Sequence, residues 1–407
     1  MESLTKKTIT INIDLNAALT GFGSARIATP AHHRVMKYYA SPLLMGPRPS
    51  DDLLALIMHI FTEDEADLVQ YLPPLHPRSA KKVAALSGRS VSDVAKILDN
   101  LAFTKFVILA SGEPRKYTIL PIVPGVFEMA LMTPDLATRN TWHRTFAELF
   151  ERLWDKGLLM TEYIPHSRPG IRYLPVNGIS KTLHAAWPSD KFAEVLEPYN
   201  EFAVGNCQCR LAMHLVGKGC DRPLENCVAM GPIATQIIDR GLMRKADRQE
   251  ILEKKRQAEE QGCVTFIIND TDSKRVGNGS CSCCGCCCHA MRSINQLNTP
   301  GMICKPHFLP LRDQAKCTSC QQCVRACPMS AWLVKKECES TAFADLQFQP
   351  IRCIGCGLCV LTCKFGALAL QENKNVKPSQ DGWLPVLLKL APAYLSNTVR
   401  VWAKRMF

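Results

Sequence analysis

One cysteine spacing occurs twice near the C-terminal end of the chain, and this repeat constrains the fold more than any other feature. The first copy consists of Cys317, Cys320, Cys323 and Cys327, followed by Pro328, and the second copy of Cys353, Cys356, Cys359 and Cys363. Both copies read C-x2-C-x2-C-x3-C. A structural zinc site would instead pair two C-x2-C knuckles around one tetrahedral ion, so the spacing argues against zinc.

The repeated spacing has a direct chemical interpretation. Three thiolates of a C-x2-C-x2-C loop can bind three irons of one cubane cluster, and the fourth cysteine points toward a different cluster. This crossed arrangement requires two copies of the motif, and the chain has two. The sequence therefore predicts two [4Fe–4S] clusters, whose chemistry is the transfer of single electrons.

Residues 305–372 resemble the bacterial two-cluster ferredoxins. Pro328 matches the proline that follows the fourth cysteine in that family, whereas Lys364 stands at the equivalent place of the second copy. The resemblance implies a βαββαβ module with pseudo-twofold symmetry and two crossed ligand sets. One implied set is Cys317, Cys320, Cys323 and Cys363, and the other is Cys353, Cys356, Cys359 and Cys327.

The number of cysteines and the net charge bear on the environment and the partners. Twenty-one cysteines in a short secreted chain would indicate disulfides, but this chain has 407 residues and its cysteines form tight clusters. The first residues lack the apolar core of a signal peptide. We therefore expect a cytoplasmic protein with reduced, metal-binding thiols. The net charge of +12 predicts an acidic partner, which can be a redox partner protein, nucleic acid or an anionic membrane surface.

The first half of the chain is predicted to be mainly helical. Apolar residues recur at helical spacing from Asp51 to Phe61, and Thr62 with Glu65 forms a capping box for the next helix. A second amphipathic helix is predicted over 141–158.

Between these helices lies a pattern that resembles the winged-helix module. One helix is predicted over 79–86 with a stop at Gly88, a second begins at Ser90, and a β-hairpin follows over 106–120. The resemblance makes DNA a conceivable partner. The solvent face of the second helix, however, presents Asp93, Lys96, Asp99 and Asn100 and is nearly neutral. A neutral face favours a packing or docking role over DNA binding.

A second cysteine system lies before the ferredoxin-like motifs, and it begins with Cys207, Cys209, Cys220 and Cys227. These four make a credible four-thiolate site, because Cys-x-Cys places two sulfurs near one metal. Thiolates bind zinc and iron–sulfur clusters alike. The site is therefore a third iron–sulfur centre, a structural zinc site, or a set of cysteines without metal.

The same system continues with a dense run of six thiols: Cys281, Cys283, Cys284, Cys286, Cys287 and Cys288. They cannot all bind one ion, since neighbouring side chains of an extended segment point to opposite faces. The Cys-Cys-Gly triplet resembles the cysteine-rich CCG domain of heterodisulfide reductases, which holds a catalytic cluster, although the flanking spacings differ. The whole combination is similar to a poorly characterised group of ferredoxin-domain proteins from anaerobes.

The C-terminal tail is basic and apolar. No acidic residue occurs from Trp383 to Phe407, and Pro385 and Pro392 interrupt any long helix. Such a segment suits an anionic membrane interface, which would make the protein peripheral at a membrane, or a partner groove. It can equally pack on its own domain.

The predicted fold class is α+β with several domains. The expected segments are an N-terminal segment (1–50), a helical and winged-helix-like domain (51–125), a helical connector (126–200), a cysteine-rich domain (201–300), a two-cluster ferredoxin domain (305–372) and a basic amphipathic tail (373–407).

These features predict an iron–sulfur electron-transfer protein that passes single electrons to or from a partner oxidoreductase. Two alternatives remain open. One is a redox-sensing transcription regulator that responds to cluster loss, and the other is an oxidoreductase with its site at the Cys281–Cys288 run. No Ser/His/Asp set, phosphate-binding loop or carboxylate pair indicates hydrolysis or phosphoryl transfer.

Overall fold

The computed structural model describes residues 8–9, 26–132, 140–157, 171–180, 191–268, 277–299, 303–334 and 346–376, and a few residues after 391. The chain is an α+β protein with two compact units. One unit comprises Met1–Tyr163, Leu211–Gly219 and Ser396–Phe407, and the other comprises Ile164–Arg210 and Cys220–Leu395. Most of the predicted C-terminal tail lies outside the described residues.

The N-terminal part of the chain is largely helical. Strands β1 (Thr8–Ile9) and β2 (Arg26–Ile27) pair with each other. The next elements are α1 (Pro30–Tyr39), α2 (Asp51–Ile60), α3 (Glu63–Val69), β3 (Arg78–Ser79), α4 (Ala80–Ser87), α5 (Val91–Phe103), β4 (Ile108–Ser111), β5 (Lys116–Ile119), α6 (Phe127–Met132) and α7 (Asn140–Asp155). The aliphatic side chains of α2 are all buried, and this helix packs against α1 and α7.

Local signals in the sequence place these helices. The Thr62 hydroxyl accepts from the Glu65 N–H, and the Glu65 carboxylate accepts from the Thr62 N–H at 2.8 Å, so the predicted capping box is confirmed. Gly88 ends α4 in the left-handed conformation, with φ of 72°, as the predicted stop requires. Ser90 caps α5. The predicted hairpin forms as β4 and β5, and β3 joins it in a three-stranded antiparallel sheet.

The middle of the chain forms a larger sheet. Its elements are β6 (Ile171–Tyr173), α8 (Asn177–Ser180), α9 (Phe192–Leu196), β7 (Phe202–Asn206), α10 (Gln208–Leu215), β8 (Glu225–Met230), α11 (Pro232–Asp239), β9 (Arg244–Ala246), α12 (Arg248–Glu260), β10 (Val264–Ile268), β11 (Asn278–Cys283) and α13 (His289–Asn295). The antiparallel strand order is β6-β10-β11-β8-β7-β9. The segment expected as a helical connector thus also contributes a strand, because β6 pairs with β10 and buries Tyr173.

The cysteine motifs lie among short elements at the end of the second unit. These are β12 (Phe308–Arg312), α14 (Gln322–Ala326), β13 (Trp332–Val334), β14 (Leu346–Phe348), α15 (Leu358–Leu361) and β15 (Leu368–Glu372). Strand β12 pairs with β15 and β13 with β14, both antiparallel. Each C-x2-C-x2-C loop leads into one of the two helices. Within the described residues, no helix has the length and apolarity needed to cross a membrane.

Candidate metal centres

The two C-x2-C-x2-C loops follow the same backbone path. In each loop, the residues two and four positions after the first cysteine have positive φ. They are Ser319 (54°) and Gln321 (60°) in the first loop, and Gly355 (69°) and Gly357 (79°) in the second. Glycine adopts this conformation freely, whereas other residues pay about 1 kcal/mol or more. The first loop therefore has backbone strain at Ser319 and Gln321, at the two positions where the second loop has glycine.

Each loop borders a cavity. The sulfur-bearing residues around the first cavity are Cys317, Cys320, Cys323 and Cys363. Those around the second are Cys327, Cys353, Cys356 and Cys359. Three cysteines of each quartet thus come from one motif and the fourth from the other motif.

The residues of the cavities fit a group that carries iron. Four thiols border each cavity, and backbone donors support two of them: the Ala331 N–H donates to Cys327 Sγ at 3.3 Å and the Gly355 N–H to Cys353 Sγ at 3.4 Å. Burial raises the pKa of Cys353 and of Cys359 to about 12. These thiols therefore keep their protons unless a cation replaces them.

The two cavities differ in their surroundings. Cys320, at the first cavity, is exposed, and Phe365 beside it is 51% exposed. Cys323 at the first cavity is buried, as are Cys356 and Cys359 at the second. The exposed Cys320 therefore distinguishes the first cavity from the second.

The ten cysteines of the predicted middle site and run fall into two groups. The inner thiol group consists of Cys207, Cys209, Cys227, Cys281, Cys283 and Cys288. The outer thiol group consists of Cys220, Cys284, Cys286 and Cys287. The structure thus separates Cys220 from the three cysteines with which the sequence pattern grouped it. Neighbouring strands β7 and β8 bring Cys207 and Cys227 together, whereas Cys220 lies in the loop before β8.

Local backbone geometry divides the cysteine run between these groups. Cys281 and Cys283 are two residues apart in β11, so their side chains share one face of the sheet. A turn over residues 285–287 then redirects the chain, and Cys284 and its two successors join the outer thiol group. Cys288, at the N-terminal cap of α13, returns to the inner thiol group.

The inner thiol group is a buried hydrogen-bonded network. Cys281 Sγ lies 3.6 Å from Cys227 Sγ. Hydrogen bonds from Cys209, Cys283 and Tyr173 lower the pKa of Cys288 well below its usual range. The buried Lys255 Nζ donates to Ser280 Oγ at 2.8 Å and adds positive charge beside the thiols of β11. Neither Tyr173 nor Lys255 was predicted, because both reach the site only through the folded sheet.

The outer thiol group is held by two arginines. Arg210 is fully buried, and its Nη2 donates to Cys284 Sγ at 3.4 Å and to Ser282 O at 3.1 Å. Arg222 Nη1 donates to Cys286 Sγ at 3.6 Å. A hydrogen bond from Cys287, together with the charge of Arg210, lowers the pKa of Cys284 to about 4. The sequence offered one signal for Arg210, which directly follows the Cys-x-Cys pair.

The middle cysteines and the ferredoxin-like motifs meet at a junction formed by Gly285, Asn295, Pro328, Met329 and Arg352. Asn295 Nδ2 donates to Pro328 O at 2.9 Å, while Arg352 donates to Asn295 Oδ1 at 3.2 Å and to Met329 O at 3.0 Å. Gly285 lies against the Pro328 carbonyl.

Beside the junction, the two cysteine systems share one apolar core. Cys283 and Cys288 of the inner thiol group belong to the same buried cluster as Cys356 of the second cavity. Tyr173 and Val176 lie in this cluster as well.

Comparison with known proteins agrees with the chemistry of the motifs. A family model described as a 4Fe-4S dicluster domain matches residues 316–367, a range that contains all eight cysteines of the two motifs. This part of the chain is therefore an iron–sulfur domain of the ferredoxin type. No curated protein and no solved structure matches the chain.

Proposed function

We propose that the chain is an iron–sulfur electron-transfer protein with two [4Fe–4S] clusters, one in each cavity of the ferredoxin-like module. The observation that carries this proposal is that a crossed quartet of cysteines borders each of the two cavities. The βαββαβ order of the elements and the matched loop conformations support it. A [4Fe–4S] cluster, when bound, supplies one-electron chemistry.

We further propose that a redox partner docks beside the first cavity. Cys320 is exposed there, and the half-exposed Phe365 borders the same cavity. Two further apolar side chains of this module, Leu311 and Leu361, are also at least half exposed. Apolar side chains next to a redox site favour close approach of a partner protein.

We propose that the inner thiol group holds a third iron–sulfur centre. Electrons would pass between this centre and the redox partner through the two clusters of the ferredoxin-like module. Cys356 of the second cavity and Cys283 and Cys288 of the inner thiol group lie in one buried core, which supports a path for electrons between the two sites. Across the described residues, the six inner sulfurs do not meet within 4.8 Å as a set. This spread favours a polynuclear centre over a single ion.

The helix pair α4–α5 and the hairpin β4–β5 are proposed to form a winged-helix-like docking module. Two of its basic side chains are already paired with acids: Arg115 with Asp99 at 2.8 Å and Arg89 with Asp64 at 2.6 Å. Paired arginines have little remaining attraction for DNA phosphates. A gel-shift titration with and without bound metal tests the alternative regulator, which predicts cluster-dependent DNA binding.

The experiment that tests the crossed ligands compares four single serine variants by EPR after anaerobic reduction. We expect Cys317→Ser and Cys363→Ser to leave the same residual spectrum, and Cys327→Ser and Cys353→Ser to leave the other. Wild-type protein should contain about eight irons and eight sulfides in this module. If Cys317→Ser instead matches Cys327→Ser, each motif binds its own cluster and the proposed arrangement is wrong.

A further inference from the structure

The outer thiol group has the dimensions of a site for one metal ion. Cys220 Sγ lies 3.6 Å from Cys287 Sγ and 3.8 Å from Cys284 Sγ, and Cys286 Sγ lies 3.8 Å from Cys287 Sγ. All four sulfurs are within 4.8 Å of one another. Thiolates bound to zinc at about 2.3 Å in a tetrahedron are roughly 3.8 Å apart, which matches these separations.

No other set of three or more Cys, His, Asp or Glu side chains in the described ranges brings its ligand atoms this close together. The quartets around the two cavities are more open, as the larger volume of a cubane cluster requires. The outer thiol group is therefore shaped differently from every other cysteine set of the described chain. Its four sulfurs are closer together than the corner thiolates of a cubane cluster, so their spacing suits a single ion.

The charges around the outer thiol group also suit a divalent ion. Four thiolates and one divalent cation carry a net charge of −2, and the two arginines that donate to these sulfurs, Arg210 and Arg222, supply +2. Arg210, Cys284 and Cys287 are buried. Buried charges are tolerated only when they are compensated and hydrogen-bonded, and this arrangement provides both.

From this geometry we propose that Cys220, Cys284, Cys286 and Cys287 form a structural site for one zinc ion. Four protein thiolates complete the tetrahedron, so no coordination position remains for a substrate. The ion ties the loop that carries Cys220 to the turn over residues 285–287. Cys283 and Cys288 flank this turn, so the zinc site lies beside the inner thiol group and is separate from it.

The test uses the full-length protein, purified anaerobically, and measures zinc and iron in the same samples. We expect one zinc per wild-type chain, and its loss in Cys286→Ser with iron unchanged. Cys286 is exposed, so this substitution removes a ligand without opening a hole in the core. Cys304→Ser is the matched control, since Cys304 lies outside both thiol groups, and it should retain the zinc.

A second measurement does not depend on any variant. Zinc-edge X-ray absorption of the wild-type protein should show four sulfur ligands at about 2.3 Å. A zinc with nitrogen or oxygen ligands would overturn the assignment, and so would a wild-type protein without zinc. Loss of iron rather than zinc in Cys286→Ser would also overturn it, and would place the outer thiol group in an iron centre.

Discussion

Replacing Gly285 by alanine tests whether the junction joins the middle cysteines to the ferredoxin-like module. A Cβ at this position would lie 2.1 Å from the Pro328 carbonyl oxygen and 2.9 Å from its carbonyl carbon. Both atoms belong to the backbone, so no side chain can turn away to make room. The two segments must part by about 1 Å to bring the carbon to a tolerable distance.

The cost of this movement can be estimated from the contacts at the junction. Overpacking of this kind costs about 1–3 kcal/mol. The hydrogen bond from Asn295 to Pro328 O, 2.9 Å long, weakens at the same time and adds about 1 kcal/mol. We therefore expect Gly285→Ala to destabilise the second unit by roughly 2–4 kcal/mol, which lowers its Tm by roughly 4–16 °C.

Gly279→Ala is the matched control. Gly279 lies in β11 of the same segment, and a Cβ there would meet Ile268 Cδ1 at 3.5 Å, an ordinary contact. This variant should be neutral or slightly stabilising. The assay is anaerobic thermal unfolding, followed by circular dichroism and by the visible absorbance of the bound clusters. If the two variants unfold within about 1 °C of each other, the close approach at Gly285 does not hold the junction.

Three further results are expected. Thr62→Ala removes one half of the capping box and should lower the free energy of unfolding of the N-terminal unit by about 1 kcal/mol, as measured by urea titration; an unchanged midpoint would refute the role of the cap. Arg210→Met removes a buried donor to Cys284 and should weaken zinc retention by about 10–100-fold in a chelator competition, with equal retention as the contrary result. Deletion of residues 380–407 should leave the iron content unchanged and abolish salt-sensitive binding to anionic vesicles; a full-length protein that does not bind such vesicles contradicts the expectation that the basic tail attaches to an anionic membrane surface.

The elements that the sequence predicted well depend on short-range chemistry. The capping box at Thr62, the stop at Gly88 and the cap at Ser90 each involve residues within a few positions of one another. They can therefore be predicted from the local sequence alone. The cysteine motifs can be predicted for the same reason: a loop of seven residues carries three of the four thiols of each quartet.

The arrangement of the middle cysteines could not be predicted in this way. Cys220 meets Cys284 across 64 positions of the chain, and their approach depends on the order of strands in the six-stranded sheet. The pattern Cys207, Cys209, Cys220 and Cys227 suggested one site because those cysteines are close in sequence. Long-range pairing of β7 with β8 brought three of them together in the inner thiol group and placed Cys220 elsewhere. Arg222 and Lys255 gave no local signal, since charged residues in loops and helices are usually solvated.

The apolar core shared by the middle sheet and the second cavity links the stability of the middle domain to the state of that cavity. Tyr173 and Val176 pack in the same cluster as Cys356, and the cavity thiols reach their final state only when metal displaces their protons. If the second cavity holds a cluster as proposed, a newly made chain without iron has a less stable shared core and is more easily cleaved by proteases. The supply of iron during synthesis should accordingly affect the cellular level of the protein as well as the fraction that can carry electrons.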